Sequence, residues 1–390
     1  MNSNTDGLSW IGGMREVDRD SWNQLAAPYG TPLLDYDWLR LLEDSGVVSP
    51  DSGWIPQHLL LFRNNRLIAA APLYVKVHSE GEFVFDYAWA DVAMQLGVPY
   101  YPKLVAMSPL TPAVGYRFLV AKEADEDEVI ELMLGAIDDL CRANDLHGIS
   151  ILWPDPAFAD AIRTREFCSW RHQHFRWEND SLDDFDSYLA GFTKNQRRNI
   201  RRERASIAAQ GLSVRVFSAA EADDETLDRM YDYYTATNDQ FGEWAARYLN
   251  REFFERLGAA CPDQVLFVGA YENSNRLPVG LSMLLRGPQI LIGRYWGAAR
   301  FVNHLHFNLC YYEPIDWGIR NGIQVFDPGM GSSHKIRRGF RAIATESLHR
   351  FYDPRMVTLM KMNIDRINEY EQLRIDELNS FSPLAGNRTR

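Results

Sequence analysis

The sequence contains few cysteines and no paired cysteine spacing, which limits the kinds of protein it can encode. Its four cysteines are scattered along 390 residues, at Cys141, Cys168, Cys261 and Cys310. This usage favours reduced thiols in a cytosolic protein over a disulfide framework. Cys168 lies near His172 and His174, but no fourth ligand has a suitable spacing, so we expect neither a zinc site nor another metal.

Other absences exclude further classes. The chain has no apolar run of 18 residues, and its first ten residues lack a basic region followed by an apolar one, so we expect no membrane span, no signal peptide and a cytoplasmic location. A net charge of −12 argues against a surface that binds DNA, although a local basic patch remains possible. No P-loop, Gly-x-Ser-x-Gly elbow or Rossmann fingerprint is present.

The length and composition predict two packed domains. A chain of 390 residues with 46% hydrophobic and 24% charged residues fits two globular domains, which we place at 1–175 and 176–390. Aromatic residues make up 13% of the chain, including 11 Trp, which favours large cores and an aromatic-lined groove.

Two similar hairpin patterns indicate that the halves are copies of one unit. Buried-strand patterns flank an Asn-Arg-Leu turn in 58–74 and again in 265–285, and an aromatic stretch lies about 20 residues beyond each turn. A repeat with such a long period is typical of a duplicated unit.

The stretch 292–340 is the most informative part of the second half. It suggests a buried strand ending near Trp296, a helix capped by Asn303, a short strand ending at Asp327 and a Gly-Ser loop that delivers His334. In α/β folds ligands bind where loops leave the carboxyl ends of strands. Because Pro314 disfavours a helix interior, we also expect an interruption there.

Several of these segments resemble the FemAB-like group of N-acyltransferases within the GNAT superfamily, whose members are often labelled peptidoglycan-biosynthesis proteins. The resemblance covers nearly the whole chain. The matching segments are 85–91, 100–104, 111–112, 194–204, 294–297, 305–307, 309–312, 334–335 and 338–340.

This resemblance implies an α/β fold of tandem GNAT-like domains that transfers an acyl or aminoacyl group to an amine. We expect the second half to hold the active site, the first to be a degenerate copy that forms one wall, and the substrate groove to lie between them. The chain departs from the family pattern at Asn308 and at Ser332-Ser333, where the group has carboxylates. A changed acceptor is one hypothesis that follows.

The predicted catalytic residues lie on the helix and the loop. His306 and His334 can accept a proton near neutral pH, and Tyr311 or Tyr312 can act as the acid for the leaving group. The alternatives are a core helix with a hydrogen-bonded histidine and a plain surface turn at the glycines. Cys310 has no support as a nucleophile.

The run 194–204 is rich in Lys and Arg on a predicted helix, which indicates either a solvated face or a phosphate-binding surface. The predicted donor-binding residues are Arg197, Arg198, Arg201, Arg202 and Lys335. The predicted substrate contacts are Trp89, Arg294, Tyr295, Trp296, Asn308 and Ser333.

The sequence therefore predicts a cytoplasmic enzyme without a tightly bound cofactor that forms an amide from an amine acceptor and an activated donor. Acyl-CoA or a carrier thioester is one donor, and an aminoacyl-tRNA, as in the Fem ligases, is the alternative. A catalytically inactive binding module is a third reading.

Overall fold

The computed structural model describes residues 7–242, 245–272, 275–331 and 333–385. Ser332, one of the two serines at the expected carboxylate positions, lies outside this part of the chain. Backbone contacts divide the chain into two units: Met1–His172 with Ala344–Gln372, and Gln173–Ile343 with Leu373–Arg390. The first boundary falls three residues before the expected one, and a returning segment that we had placed in the second domain belongs to the first unit.

Fifteen strands are present in the described residues. They are β1 (Gly7–Ile11), β2 (Trp54–Pro56), β3 (His58–Arg63), β4 (Arg66–Ala71), β5 (Tyr74–Lys76), β6 (Lys103–Ala106), β7 (Leu119–Val120), β8 (Gly148–Leu152), β9 (Cys168–Glu178), β10 (Leu212–Ser218), β11 (Val265–Glu272), β12 (Pro278–Arg286), β13 (Ile290–Ala298), β14 (Val325–Asp327) and β15 (Arg341–Phe351).

The α-helices in the same residues vary from one turn to more than seven. They are α1 (Arg19–Ala26), α2 (Tyr36–Asp44), α3 (Tyr87–Gln95), α4 (Glu126–Ala143), α5 (Pro156–Arg163), α6 (Phe185–Ala190), α7 (Lys194–Ala209), α8 (Asp224–Asp239), α9 (Arg251–Ala260), α10 (Leu305–Phe307), α11 (Glu313–Arg320) and α12 (Pro354–Ser380).

The first unit contains two sheets. Strands β1, β3, β4 and β7 form an antiparallel sheet in the order β1-β3-β4-β7, and β15, β8, β6, β5 and β2 are neighbours in that order in another. The predicted hairpin in 58–74 is confirmed as β3 and β4. An apolar cluster around Trp89, Tyr100 and Met360 packs α3 against the returning α12.

The second unit is built on strands in the order β10-β11-β12-β13-β14-β9. The predicted hairpin near 265–285 is confirmed as β11 and β12. Eight of the nine residues of β12 are buried, as expected for a continuous apolar run covered on both faces. Helices α7 and α11 contribute Ile200, Ile207, Ile315 and Ile319 to the core of this unit.

Helix α8 lies unusually close to β13. A Cβ atom placed on Gly297 would come within 2.2 Å of the carbonyl oxygen of Tyr233 in α8. Glycine at this position therefore permits an approach that no side chain allows. This contact forms one wall of the site described below.

Candidate functional site

The sheet of the second unit opens at β13. Parallel pairing with β14 covers only Ile290–Ile292, and β13 then continues to Ala298 without that partner. On its other side, Met283 of β12 pairs with Tyr295 and Leu284 with Gly293, so Arg294 is an extra residue. Such a β-bulge frees backbone groups from the regular ladder and commonly occurs beside active sites.

A cavity of about 780 Å³ lies at the carboxyl end of β13. Trp296, His306 and Phe307 form its aromatic side. Its remaining lining residues are Ala236, Thr237, Gln240, Ala298, Ala299, Arg300, Phe301, Val302, Asn303, His304 and Leu305. None of these described lining residues carries a carboxylate, and the guanidinium of Arg300 is 2.7 Å from Glu272.

The helix beside the cavity begins one residue later than predicted. His304 precedes the first turn in a left-handed conformation, with φ at 61°, and makes no side-chain cap. Asn303 is not the N-cap, because the Asn303 backbone N–H instead bonds the side chain of Gln210, and Gln210 donates back to the Asn303 carbonyl.

The predicted interruption near Pro314 is present as a π-helical segment, Asn308–Tyr312, between α10 and α11. Proline has no N–H for the preceding turn, and a wider turn accommodates that loss. The segment places Tyr311 against His306 of α10, with the ring centroids 5.3 Å apart and the ring planes at 75°.

His306 is one of the titratable residues that line the cavity. Its ring lies 4.5 Å from Trp296 and 5.7 Å from His334, centroid to centroid. Neither of its ring nitrogens bonds another described residue, so both are available to a ligand. Burial, together with the nearby His334 and Arg338, lowers the pKa of His306 to about 3, so its imidazole is neutral at physiological pH.

His334 and Tyr311 form a hydrogen-bonded pair behind His306. The Tyr311 hydroxyl is 3.0 Å from Nε2 of His334. Burial lowers the pKa of His334 to about 4 and raises that of Tyr311 well above its usual value, so both groups are neutral. Arg338 holds the His334 backbone by donating to its carbonyl at 2.9 Å, and its guanidinium covers the ring of Phe307.

Tyr312 belongs to a different network. Its hydroxyl donates to Glu203 of α7, and the same carboxylate oxygen pairs with Arg338 at 3.0 Å. Asn308 also serves the backbone, because its amide donates to the carbonyls of Glu203 and His304. The structure therefore does not bring Tyr312 or Asn308 to the cavity.

Lys335 points into the protein rather than toward an anion. Its side chain is 2% exposed, and its ammonium donates to the carbonyls of Gly329 and Met330 at 2.6 and 2.8 Å. Burial lowers the pKa of Lys335 to about 8, an effect that the neighbouring Asp327 opposes. Lys335 therefore has a structural role in place of the expected phosphate contact, because its ammonium bonds two carbonyls of the glycine loop.

The other predicted substrate contacts are dispersed. Trp296 lines the cavity, whereas the guanidinium of Arg294 bonds the hydroxyl of Tyr295 at 2.9 Å. Ser333 is exposed at the start of a short 3-10 helix. Trp89 lies in the apolar core of the first unit, where it packs edge-on against Trp170.

The basic run forms α7, as predicted. Arg198, Arg201 and Arg202 are exposed on one face of this helix, and Arg201 pairs only weakly, at 3.3 Å, with Asp186. Arg197 donates to the carbonyl of Ala190. Arg204 turns inward and pairs with acidic residues of α11. Arg198 and Arg202 form no ion pair with a described residue, so the exposed face keeps a net positive charge.

Sequence reasoning missed three contributors. Thr237 and Gln240 line the cavity from the end of α8. Glu203 links α7 to Arg338 through an ion pair. An ordinary amphipathic pattern gives no signal for the first two. Glu203 is the only acidic residue in 194–204, and that isolation was the available clue.

The described residues show neither a membrane-spanning helix nor a metal cluster. No described helix has both the length and the apolar composition that a membrane crossing needs. Among the described residues, no three His, Cys, Asp or Glu side chains cluster as a metal site would require. Of the residues near Cys168, His172 bonds Ser347 and His174 bonds Asp327.

Solved structures share this fold at low sequence identity. FemX is 11% identical, with a TM-score of 0.54, over 90% of this chain and 100% of its own. The C-terminal domain of a protein from Agrobacterium fabrum, described as a lysylphosphatidylglycerol synthetase, is 10% identical, with a TM-score of 0.53, over 90% and 97%. A tandem GNAT protein from the clavulanic acid biosynthesis pathway is 11% identical, with a TM-score of 0.45, over 89% and 99%.

Sequence comparison gives the family. No curated protein sequence matches the chain. The FemAB-like family model, described as peptidoglycan biosynthesis/recognition, matches residues 13–386. The expected α/β fold in a FemAB-like arrangement is confirmed. The chain therefore belongs to the FemAB-like family and is a transferase of the acyl or aminoacyl type.

Proposed function

We propose that this protein transfers an acyl group from an activated thioester to an amine and so forms an amide. The observation that carries the proposal is His306, which lines a cavity near the bulge at Arg294 and whose ring nitrogens bond no other described residue. A neutral imidazole, a partly apolar chamber and freed backbone groups suit this reaction. No tightly bound cofactor takes part.

The proposed reaction starts with a neutral amine in the cavity. Its nitrogen attacks the thioester carbonyl, and the resulting oxyanion accepts hydrogen bonds from backbone N–H groups at the bulge. His306 takes the proton that the nitrogen loses. It passes this proton to the departing thiolate when the carbon–sulfur bond breaks.

Tyr311 and His334 hold His306 for this step. Their hydrogen bond fixes two rings that pack against the His306 ring, at centroid distances of 5.3 and 5.7 Å. Such packing limits rotation of the imidazole and keeps its lone pair aimed at the substrate.

The cavity lining favours a simple acyl group over an aminoacyl group. An aminoacyl ester carries an ammonium, and none of the described lining residues offers a carboxylate to pair with it. The alkyl and aromatic side chains instead suit an uncharged acyl chain. This supports acyl-CoA or a carrier-bound thioester as the donor.

A tRNA-dependent ligase is the second candidate, and one observation favours it. The exposed positive face of α7 suits the phosphates of an RNA as well as those of coenzyme A. The family description further supports a peptidoglycan precursor as the source of the amine. Under the third reading, an inactive binding module, the cavity would bind a ligand without turnover.

The experiment compares both donors with the same acceptors. The full chain is incubated with acyl-CoA thioesters or aminoacyl-tRNA and with peptidoglycan-derived amines, and amide formation is followed by mass spectrometry. We expect amide from a thioester, lost in His306→Ala but retained in Arg256→Ala, a surface change on α9. Amide from aminoacyl-tRNA alone supports the ligase, and donor binding without amide supports the inactive module.

A further inference from the structure

We infer that the first unit carries a binding site of its own, for a small organic anion that presents a flat ring. The site is a cavity of about 510 Å³ between the start of β9 and the middle of α12. Trp170, Arg171 and His172 line it from β9, and Arg366, Tyr370 and Glu371 line it from α12. It contains none of the residues used in the proposed acyl transfer.

The two walls of this cavity are fixed to each other. The side chain of Asn368 in α12 accepts from the backbone N–H of Arg171 at 2.7 Å and donates to the carbonyl of Ser169 at 2.8 Å. This amide therefore bonds the edge of β9 as a neighbouring strand would. A ligand would enter a cavity that is already formed, with little ordering cost.

The charge of the lining points to an anion. Neither Arg171 nor Arg366 makes an ion pair with any described residue. Elsewhere in the same unit arginines are matched with carboxylates, as in Arg163 with Glu346 and Arg350 with Asp138. Two unmatched guanidiniums against one Glu371 leave a positive cavity in a chain of net charge −12. Guanidinium groups bind carboxylates and phosphates in a bidentate manner.

The aromatic side chains point to a ring on that anion. Trp170 packs against His172 at 4.7 Å and edge-on against Trp89 at 6.3 Å, so its indole is held rigidly. Tyr370 is 66% exposed at the opposite wall. A flat ring between these two side chains would cover apolar surface that otherwise faces water.

A buried polar chain supports His172 in this wall. Its Nε2 lies 2.7 Å from Oγ of Ser347, which lies 2.7 Å from Nε2 of His349, and Nδ1 of His349 lies 3.0 Å from Oγ of Ser150. Ser150, Ser347 and His349 are at most 3% exposed. Each serine hydroxyl can either donate or accept a hydrogen bond. When an anion approaches His172, every hydrogen bond in this series can therefore change direction without leaving a buried group unpaired.

The test uses isothermal titration calorimetry on the full chain with four probes. Phenyl phosphate and benzoate carry both ring and charge, benzamide lacks the charge, and inorganic phosphate lacks the ring. We expect saturable binding of phenyl phosphate, benzoate or both, at least tenfold tighter than binding of benzamide and of inorganic phosphate. The stronger of the first two identifies the natural anion as a phosphate or a carboxylate.

Variants locate the binding. Arg366→Ala and Tyr370→Ala change exposed side chains and should each weaken the better probe at least fivefold, whereas the matched changes Lys361→Ala and Met362→Ala on the same helix should not. The proposal is overturned if neither ring-bearing anion binds, if benzamide binds equally well, or if the two lining variants bind as tightly as their controls. Unchanged thermal unfolding of the variants shows that each result reports the site.

Discussion

The hydroxyl of Tyr311 lies 3.0 Å from Nε2 of His334, although 23 residues separate them in the chain. Tyr311 belongs to the π-helical segment and His334 to the 3-10 helix after the glycine loop, and both rings pack against His306. The pair therefore connects two elements that are distant in the sequence. Of the three rings, all within the described residues, only that of His306 lines the cavity.

Replacing Tyr311 with Phe removes this hydrogen bond but keeps the ring. Because His334 then loses a fixed partner, we expect the His306 ring to be less well oriented and kcat to fall about 10-fold to 100-fold, with KM within twofold. Steady-state kinetics of amide formation checks this, with Tyr231→Phe as a control phenol in the same unit. An unaltered kcat would show that the pair has no part in catalysis.

The exposed face of α7 should govern donor affinity. We expect Arg198→Ala together with Arg202→Ala to raise KM for a phosphate-bearing donor about tenfold and to reduce the salt dependence of KM, because each arginine neutralises phosphate charge. Both side chains are exposed, so thermal unfolding should not change. Arg256→Ala on α9 is the control. If KM and its salt slope stay the same, the face is only solvated.

Lys335 should contribute to stability rather than to donor binding. Lys335→Met leaves the carbonyls of Gly329 and Met330 without their buried donor, which we expect to lower the free energy of unfolding by about 2 kcal/mol. The neighbouring Arg337 is exposed, and Arg337→Met should have little effect on unfolding. Urea denaturation measures both. A change in donor KM without a loss of stability would restore the phosphate role predicted from the sequence.

The sequence was sufficient for the elements of the site but not for its contacts. Apolar runs and the Pro314 signal correctly predicted β13, β14 and the interrupted helix, because these depend on local pattern and on the chemistry of proline. The family motifs drew attention to His306, Tyr311 and His334, whose rings the structure packs against one another. They gave equal weight to Tyr312, Asn308 and Lys335, which the structure uses for Glu203 and for backbone carbonyls.

The motifs could not separate these residues because they do not fix the direction in which each side chain points. Adjacent helical residues such as Tyr311 and Tyr312 point in different directions, roughly 80–100° apart, so a motif that includes both cannot say which one faces the site. The direction depends on long-range packing, here of α7 and Arg338, which a local pattern does not contain. The extra residue at Arg294 is similar, because a bulge depends on the register of the partner strand.

Gly297 should be the least replaceable glycine of β13. Gly297→Ala places a methyl group 2.2 Å from the Tyr233 carbonyl, so α8 must move away from the sheet, and we expect a loss of about 2–4 kcal/mol in the free energy of unfolding. Gly293→Ala on the same strand is the matched control, because its nearest neighbours lie at an ordinary 3.5 Å. Equal stability of the two variants would mean that α8 does not pack on β13 as closely as described.

The buried histidines should make the fold sensitive to mild acid. In the folded protein burial lowers the pKa of His306 and His349 to about 3 and that of His334 to about 4. In the unfolded chain these groups take up protons below about pH 6.5. Between pH 6.5 and 4.5 the unfolded state therefore binds more protons at these positions, and their contribution to stability falls as the pH falls.

His349 gives the cleanest measurement of this effect, because it is 2% exposed. His349→Gln should lower stability at pH 7 through its lost hydrogen bonds, but it should also make the decline between pH 6.5 and 4.5 shallower, by about 1 kcal/mol per pH unit. Burial raises the pKa of Glu82 to about 7, so protonation of Glu82 adds to stability as the pH falls. This contribution is the same in the wild type and the variant, and it cancels when their slopes are compared. Urea denaturation at pH 6.5, 5.5 and 4.5 measures both slopes. Parallel slopes would show that His349 is protonated in the folded protein as readily as in the unfolded chain.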